Sequence, residues 1–345
     1  TTEWTLSNGV RVVVKPTTFK QDEILFYAFS QGGRSLVATA DLPSAALATD
    51  VVELGGLADM NATDLQKALT GKRVSLSPSI SAYSEGVNGS STVKDLETLL
   101  QLNYLYFTAP RRDEESYQTL MSILDSQLAN RDKNPKVAWS DSVQMMASNY
   151  SDRTLIINKE LLSKASLDKA LEVYKARFAN PADFTFFFVG NVDPADPAFQ
   201  TMVCTWLGGL KANKKLEKAA DDKVRVAMGI QKNYFTRQME TKTASNRIQY
   251  TSYDMPYTLA NDLNMEMIGR ILSTRYLESI REREGGSYGV GCAGWMNRYP
   301  VPYAQLIMQF DTDPEKQEKL MSIIHEEVMT ILENGPLATD LQKEK

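Results

Sequence analysis

Histidine is almost missing from this chain, which has one, His325, among 345 residues. A zinc peptidase helix of the H-E-x-x-H or H-x-x-E-H type binds its metal through two histidines. The chain therefore cannot build such a site alone. His325 stands beside Glu326 and Glu327 in a segment whose apolar residues have helical spacing. We interpret it as a surface or boundary histidine, not a metal ligand.

Cysteine is also scarce. The two cysteines, Cys204 and Cys292, are too few for a disulfide framework in a protein of this size. Their wide separation gives no metal-ligand spacing either. We interpret both as free, half-buried thiols, which is compatible with the cytoplasm.

An excess of positive charge and a long apolar run are both missing. The formal net charge of -5 argues against nucleic acid as the main partner, because phosphate binding requires clustered lysine and arginine. No apolar run approaches the roughly 18 residues of a membrane span. The composition, 43% hydrophobic and 23% charged, is that of an ordinary globular protein. A chain of 345 residues is long enough for two domains.

The predicted elements occur twice in the same order. In the first half, strands are predicted near residues 24–30, 74–80 and 86–92, and helices near 44–54, with Ser44 as its cap, and 95–107. In the second half, strands are predicted at 248–253, 288–294 and 303–310, and helices at 261–284 and 314–333. The sequence therefore predicts an α+β fold of two homologous domains, each a mostly antiparallel sheet packed against helices.

The boundary between the copies is predicted at residues 211–223, where eight of thirteen residues are charged and little can be buried. The predicted domains are thus 1–210 and 224–345, joined by a charged linker at 211–223. Pro336 in the second copy corresponds to Pro110 in the first. We therefore expect the second domain to lack a helix pair and a final strand.

One stretch brings charged and phenolic groups together, Arg281-Glu-Arg-Glu-Gly-Gly-Ser-Tyr288. Upstream apolar residues have helical spacing, namely Met265, Ile268, Leu272, Tyr276 and Ile280. The pattern predicts that this helix ends at Gly285 and Gly286 and that a strand starts at Ser287. A guanidinium and a tyrosine hydroxyl can then face one site. The alternative is a salt-bridged helix end beside a half-buried strand tyrosine.

A family resemblance rests on three features. They are Leu6-Ser-Asn-Gly-Val-Arg-Val-Val-Val14, Phe187-Phe-Val-Gly-Asn-Val-Asp193 and the duplicated element order. Together they resemble the pitrilysin/insulin-degrading family of inverted zinc peptidases, in which two halves close around a peptide chamber. In that family the first half carries the H-x-x-E-H helix, and the second carries an arginine and, seven residues on, a tyrosine. Arg281 and Tyr288 match that pair in an Arg-Glu-x-x-Gly-x-x-Tyr context.

The chain departs from the family where zinc would bind. The corresponding helix, near residues 44–56, contains no histidine, and we interpret its Asp50 and Glu53 as solvated charges. The resemblance therefore implies the metal-free C-terminal half of a large bacterial zinc protease, comprising its third domain and part of its fourth. It implies no cofactor in this chain and zinc in a partner half. It also leaves the periplasm as open as the cytoplasm.

The resemblance implies a role in peptide hydrolysis that depends on another half. Tyr288 would donate a hydrogen bond to the scissile carbonyl, and Arg281 would hold the peptide substrate. The partner would be a zinc-bearing N-terminal half of the same polypeptide or a homologous subunit, and this chain would not be active alone. The alternative is a structural or binding subunit that kept the fold and has no role in catalysis.

Two further patterns bear on ligands. Gly289-Val-Gly291-Cys-Ala-Gly294 satisfies G-x-G-x-x-G, but it is predicted to lie within a strand, not between a strand and a helix. We therefore reject nucleotide binding. Closed-chamber peptidases commonly hold substrate as an added β-strand. Which strand edge is free stays open at this point.

Overall fold

The computed structural model describes residues 1–213, 216–287 and 289–343. It forms two compact units. The first comprises Thr1–Lys133 and Ser151–Val224, and the second comprises Asn134–Tyr150 and Arg225–Lys345. The domain boundaries expected from the sequence stay a prediction.

The strands are β1 (Thr2–Thr5), β2 (Arg11–Pro16), β3 (Ile24–Gln31), β4 (Val74–Ile80), β5 (Ser84–Ser91), β6 (Thr185–Gly190), β7 (Ala244–Ser252), β8 (Gly291–Asn297) and β9 (Tyr303–Thr312). The helices are α1 (Leu42–Ala45), α2 (Ala48–Gly55), α3 (Ala62–Ala68), α4 (Leu96–Thr108), α5 (Glu114–Leu128), α6 (Pro135–Ala147), α7 (Lys159–Ser163), α8 (Leu167–Arg177), α9 (Pro197–Trp206), α10 (Leu259–Tyr276), α11 (Gln317–Asn334) and α12 (Ala338–Lys343). Short 3₁₀ turns join several of them.

The first unit is a six-stranded sheet in the order β1-β2-β6-β3-β5-β4, with helices on one face. All neighbouring strands are antiparallel except β2 and β6, which are parallel. Alternate residues of β3, Ile24, Phe26 and Ala28, are buried, as the two-residue period of a strand requires. Phe26 packs against Phe186 and Phe188 of β6, so aromatic pairs across neighbouring strands form the centre of this core.

The helix predicted at residues 44–54 is divided into α1 and α2. Pro43 lies in the first turn of α1 and starts this helix earlier than predicted. The prediction that Ser44 caps the helix is wrong. Ser44 is buried inside α1, and its hydroxyl oxygen accepts a hydrogen bond from the Ser166 N–H at 3.0 Å.

The second unit contains a three-stranded antiparallel sheet in the order β7-β9-β8. This order repeats that of β3-β5-β4 in the first unit, and helices again come between the first two strands in the chain. Leu272, Tyr276 and Ile280 are fully buried with residues of β9 and α11. The α+β prediction of antiparallel sheets packed against helices is therefore confirmed.

The described residues of 211–223 are held to the first unit by hydrogen bonds. The N–H groups of Asn213 and Glu217 donate to the side chains of Asn180 and Asp183, both at 2.9 Å. The Tyr83 hydroxyl donates to the Asp222 carboxylate at 2.8 Å. Polar contacts thus fix this charged segment, in place of the apolar burial that its sequence lacks.

A buried carboxyl makes the stability of the first unit depend on pH. Glu85 is 2% exposed and accepts the Gly33 N–H at 2.5 Å. Burial raises its pKa, while hydrogen bonds from Gly33 and Ser30 and the charge of Arg177 lower it. In the unfolded chain this carboxyl has its ordinary pKa of about 4.3. Below that pH, protonated Glu85 contributes its full share to the stability of the folded state. This contribution is lost as pH rises through the raised pKa of Glu85 in the folded state.

We expect Glu85→Gln to remove this loss, because the amide oxygen can still accept the Gly33 N–H but cannot ionise. Urea unfolding from about pH 4 to about pH 8 should show the variant gaining stability relative to the wild type as pH rises. Glu3→Gln, at an exposed position, serves as the control and should leave the profile unchanged. Parallel profiles for wild type and Glu85→Gln would contradict the prediction.

Candidate functional site

The helix that carries Arg281 changes its winding before it ends. Helix α10 is capped by Thr258, whose side-chain oxygen accepts the Asn261 N–H at 3.0 Å. From Leu277 to Arg283 the chain continues as a π-helix. A π-helical turn is wider than an α-helical turn, is rare, and is frequently found at functional sites. The predicted helix at 261–284 is therefore confirmed, but its last turns are wound more widely than the sequence indicates.

Buried contacts anchor this helix on one side. Tyr276 is fully buried and its hydroxyl donates to the Ile324 carbonyl oxygen in α11 at 3.0 Å. The Arg275 guanidinium pairs with Asp340 at 2.8 Å and with Glu327 at 3.4 Å. These contacts with α11 and α12 fix the helix at its last α-helical turn, immediately before the π-helical segment.

Two glycines end the helix, as predicted. Gly285 has a φ of 52°, which places it in the left-handed region that favours glycine. The Gly286 N–H donates to the Ile280 carbonyl at 3.2 Å, and the Gly285 N–H donates to the Arg281 carbonyl at 3.1 Å. These two nested bonds cap the helix, and each reaches one residue further back than in a Schellman motif. The backbone of Arg281 is therefore part of the cap.

The segment after the cap is tied to the end of β9. The Thr312 hydroxyl donates to the Gly286 carbonyl at 2.6 Å, and the Ser287 hydroxyl donates to the Asp311 carbonyl at 2.7 Å. The prediction that a strand starts at Ser287 is wrong, since β8 begins at Gly291. Ser287 bonds carbonyl oxygens through its side chain in place of a strand partner.

The Arg281 side chain is exposed beside this anchored backbone. Its exposed fraction is 53%, and among the described residues its nearest ion partner is Glu282, at 3.9 Å. In contrast, Arg283 pairs with Glu278 at 2.6 Å, and Glu284 pairs with Lys319 at 2.5 Å. The guanidinium of Arg281 is therefore available for a ligand, whereas that of Arg283 is engaged in an ion pair.

Tyr288, the other predicted site residue, lies outside the residues that the structure describes. Its pairing with Arg281 stays a prediction. The described residues on either side of it, Ser287 and Gly289, lie in the segment between the cap and β8. The Ser287 hydroxyl also donates to the Gly289 carbonyl at 3.0 Å.

The helix in the zinc position, α2, carries carboxylates without histidines. Asp50 is exposed, as predicted. Glu53 is half-buried, so its description as a solvated charge is wrong. Burial raises the pKa of Glu53, the Ser77 side chain lowers it, and the charge of Asp50 raises it. Across the described ranges of the chain, no group of three histidine, cysteine, aspartate or glutamate residues could hold a metal ion.

The remaining candidate residues take structural positions. His325 is exposed, as predicted, and its Nδ1 lies 2.8 Å from the Tyr250 hydroxyl. Cys292 is half-buried, and burial raises the pKa of its thiol to about 12. Cys204 is exposed, which corrects the prediction of a half-buried thiol. The last two glycines of Gly289-Val-Gly291-Cys-Ala-Gly294 lie in β8, in accord with the rejection of a nucleotide site.

Comparison with known sequences identifies the family. The family described as "Peptidase M16 inactive domain" matches residues 164–345, more than half of the chain. The chain belongs to this M16 family.

Similar proteins are zinc proteases of greater length. The chain is 25% identical over 360 residues to "Zinc protease PQQL-like" of Arabidopsis thaliana, covering 99% of this chain and 34% of the relative. It is 22% identical over 344 residues to "Probable zinc protease PqqL" of Escherichia coli, covering 97% of this chain and 35% of the relative. The chain thus spans about a third of the length of these relatives.

Solved structures show the same fold. The crystal structure of the periplasmic protease PqqL from Escherichia coli matches with a TM-score of 0.85 at 19% identity, over 99% of this chain and 38% of that one. This M16 chain is accordingly an inactive domain, the non-catalytic half of zinc proteases like PqqL. Within the residues that the structure describes, no helix is long and apolar enough to cross a membrane.

Proposed function

We propose that this chain is the substrate-binding half of a zinc metalloendopeptidase, and that Arg281 and Tyr288 complete the active site of an H-x-x-E-H half. The zinc-bearing half would belong to the same polypeptide or to a homologous subunit. The observation that carries the proposal is the exposed guanidinium of Arg281, whose ion partner among the described residues is Glu282 at 3.9 Å, on a backbone fixed by the hydrogen bonds that cap the helix. The greater length of the relatives supports a further half in the same polypeptide.

The chemistry divides between the two halves. Zinc, when held by the other half, supplies an activated water and polarises the scissile carbonyl. Negative charge then develops on the carbonyl oxygen, and a tyrosine hydroxyl from this chain can donate a hydrogen bond to it. The guanidinium fork of Arg281 binds neighbouring peptide carbonyls and so positions the substrate. Both groups reach the substrate only when the halves close around it, which excludes water from the site.

Arg281→Ala, in the enzyme assembled from both halves, tests the role of the arginine. A charge-assisted hydrogen bond to the substrate contributes about 1.5 kcal/mol, so KM should rise about 10-fold with a smaller change in kcat. The measurement is steady-state cleavage of a quenched fluorescent peptide.

Arg283→Ala is the matched control, because Arg283 lies in the same π-helical segment but is paired with Glu278. Its KM should stay within about twofold of the wild type, since surface ion pairs contribute little. Equal effects of the two substitutions would indicate a change in the helix end and not loss of substrate contact. If neither substitution changes cleavage, the alternative of a structural or binding subunit without a catalytic role is favoured.

A further inference from the structure

The edge of the first sheet leaves main-chain groups without partners. Strand β4 ends the sheet, and its single neighbour is β5. Two hydrogen bonds lie at the ends of this pairing. The Thr92 N–H donates to the Arg73 carbonyl at 3.2 Å, and the Ser81 N–H donates to the Ser84 carbonyl at 2.7 Å. In an antiparallel ladder, hydrogen-bonded residue pairs alternate with pairs that form no hydrogen bond to each other. Arg73 and Ser81 belong to hydrogen-bonded pairs, so Val74 and Leu76 turn their N–H and C=O groups away from β5. In the described part of the chain, these groups have no hydrogen-bond partner.

Only the beginning of this edge can accept another strand. Pro78 follows Val74 and Leu76 as the next residue of β4 whose main chain faces away from β5, and it has no N–H to donate. The Ile80 carbonyl already accepts a hydrogen bond from the Arg34 guanidinium at 2.6 Å. Proline on an edge prevents extended pairing between sheets. The free edge is therefore limited to Val74 and Leu76, which suits a short peptide segment better than a long strand of another sheet.

A groove lies beside this free end. Its cavity volume is about 450 Å³, and Leu65 of α3 and Leu69, which follows that helix, contribute to its wall. Val74 from β4 and Glu53 from α2 also line it. The volume falls within the range of small-ligand pockets. An apolar side chain could pack between the two leucines while its main chain pairs with Val74.

Glu53, which lines the groove, carries negative charge that no cation neutralises among the described residues, and Asp50 stands next to it on the same helix. Asp50 and Glu53 are one helical turn apart and therefore share a face of α2. Neither carboxylate forms an ion pair within residues 1–213, 216–287 and 289–343. Burial raises the pKa of Glu53, as expected for a carboxylate that is partly removed from water and lacks a cation. A positively charged group on the ligand would supply that missing partner.

We propose that this groove is a second peptide-binding site. A short extended segment of the substrate would pair with β4 at Val74 and Leu76, place an apolar side chain between Leu65 and Leu69, and direct a lysine or arginine side chain to Glu53. The inference rests on the proposed function in taking a peptide substrate as the occupant. Beyond the proposed function, the inference specifies a preference for substrate segments with basic and apolar side chains. It also specifies that residues of the first unit alone form this site.

Fluorescence anisotropy with this chain alone tests the proposal. The probe is a labelled, N-acetylated and C-amidated octapeptide of alternating threonine and leucine with one central lysine. Its counterpart carries norleucine in place of lysine. A partly buried ion pair should make the lysine probe bind about 10-fold more tightly. Glu53→Gln should abolish this difference, whereas Asp59→Asn, at an exposed position, should preserve it.

A second probe tests strand pairing without changing the protein. N-methylation of the main-chain amides flanking the lysine removes their donors, and should weaken binding at least 10-fold if the peptide extends the sheet at β4. Equal affinity for the lysine and norleucine probes, or no effect of N-methylation, would overturn the inference. A third result would also overturn the inference: a dimer of this chain in sedimentation experiments that dissociates when the probe is added. The edge of β4 would then be occupied by a second copy of the chain.

The outcomes separate this inference from the proposed function. Probe binding that is unaffected by Glu53→Gln but lost in Arg281→Ala would overturn the second site and leave the catalytic role standing. Binding that depends on Glu53, together with cleavage that is insensitive to Arg281→Ala, would support the groove and contradict the catalytic role.

Discussion

Tyr288→Phe is expected to lower kcat about 10²- to 10³-fold in the enzyme assembled from this chain and an H-x-x-E-H half. The substitution removes one hydroxyl and keeps the aromatic ring, so packing should change little. The hydroxyl is proposed to donate to an oxygen that becomes negative only in the transition state. KM should therefore change much less than kcat.

The measurement is steady-state cleavage of a quenched fluorescent peptide by the assembled enzyme. Tyr234→Phe provides a matched control, because Tyr234 lies in the same unit and is 83% exposed. Its kcat should equal that of the wild type. A loss of no more than a few-fold in Tyr288→Phe would remove the catalytic role and favour a subunit that only binds or supports structure.

Comparison with Arg281→Ala shows how the two side chains divide the task. An arginine that positions the substrate acts in the ground state and the transition state alike, so its loss appears in KM. A hydroxyl that stabilises developing charge acts in the transition state, so its loss appears in kcat. If both substitutions changed kcat equally and left KM alone, the assignment of Arg281 to substrate positioning would be wrong.

The helix that carries Arg281 could be predicted from the sequence because its apolar period is simple. Leu272, Tyr276 and Ile280 are spaced by four, and all three are fully buried. That spacing does not distinguish α-helix from π-helix over a single turn. The wider winding from Leu277 to Arg283 is therefore not legible in the sequence. The helix end at Gly285 and Gly286 was predictable, since glycine after an apolar period favours a helix C-terminus.

Long-range contacts account for what the sequence did not predict. The partners of Arg275 are Glu327 and Asp340, more than fifty residues further along the chain. Ser44 resembles a helix cap locally, yet Ser166 determines its hydrogen bond. Side-chain patterns report the neighbours within a helix or strand, whereas these contacts depend on how the elements pack.

The groove beside β4 was missed for the same reason. Pro78 was a usable signal, because proline within a strand pattern indicates a sheet edge. Glu53 gave no comparable sign, since a carboxylate on a short helix is normally solvated. Its partial burial follows from the packing of α2 near β4 and α3, which the sequence alone does not specify.

The last glycine of the G-x-G-x-x-G pattern, Gly294, has a packing role that leads to the last prediction. Helix α10 approaches β8 at Gly269 and Gly294. A Cβ on Gly294 would overlap the Met265 carbonyl oxygen and lie 2.9 Å from the Met265 carbonyl carbon. A Cβ on Gly269 would meet the Gly294 nitrogen and lie 2.9 Å from the Ala293 carbonyl carbon. Backbone contacts as close as these leave no side chain that could move aside.

Gly294→Ala should therefore destabilise the second unit by about 3 kcal/mol, because α10 can accommodate the methyl group only by moving away from β8. Hydrogen exchange should show loss of protection along α10 and at β8 and β9, with protection in the first unit unchanged. The control is Gly289→Ala in the same motif, where a Cβ has nothing within 4 Å. Unchanged protection in Gly294→Ala would contradict the close packing. Since the π-helical segment that continues α10 carries Arg281, movement of the helix should reduce cleavage by the assembled enzyme, which would link this glycine to substrate positioning and not to nucleotide binding.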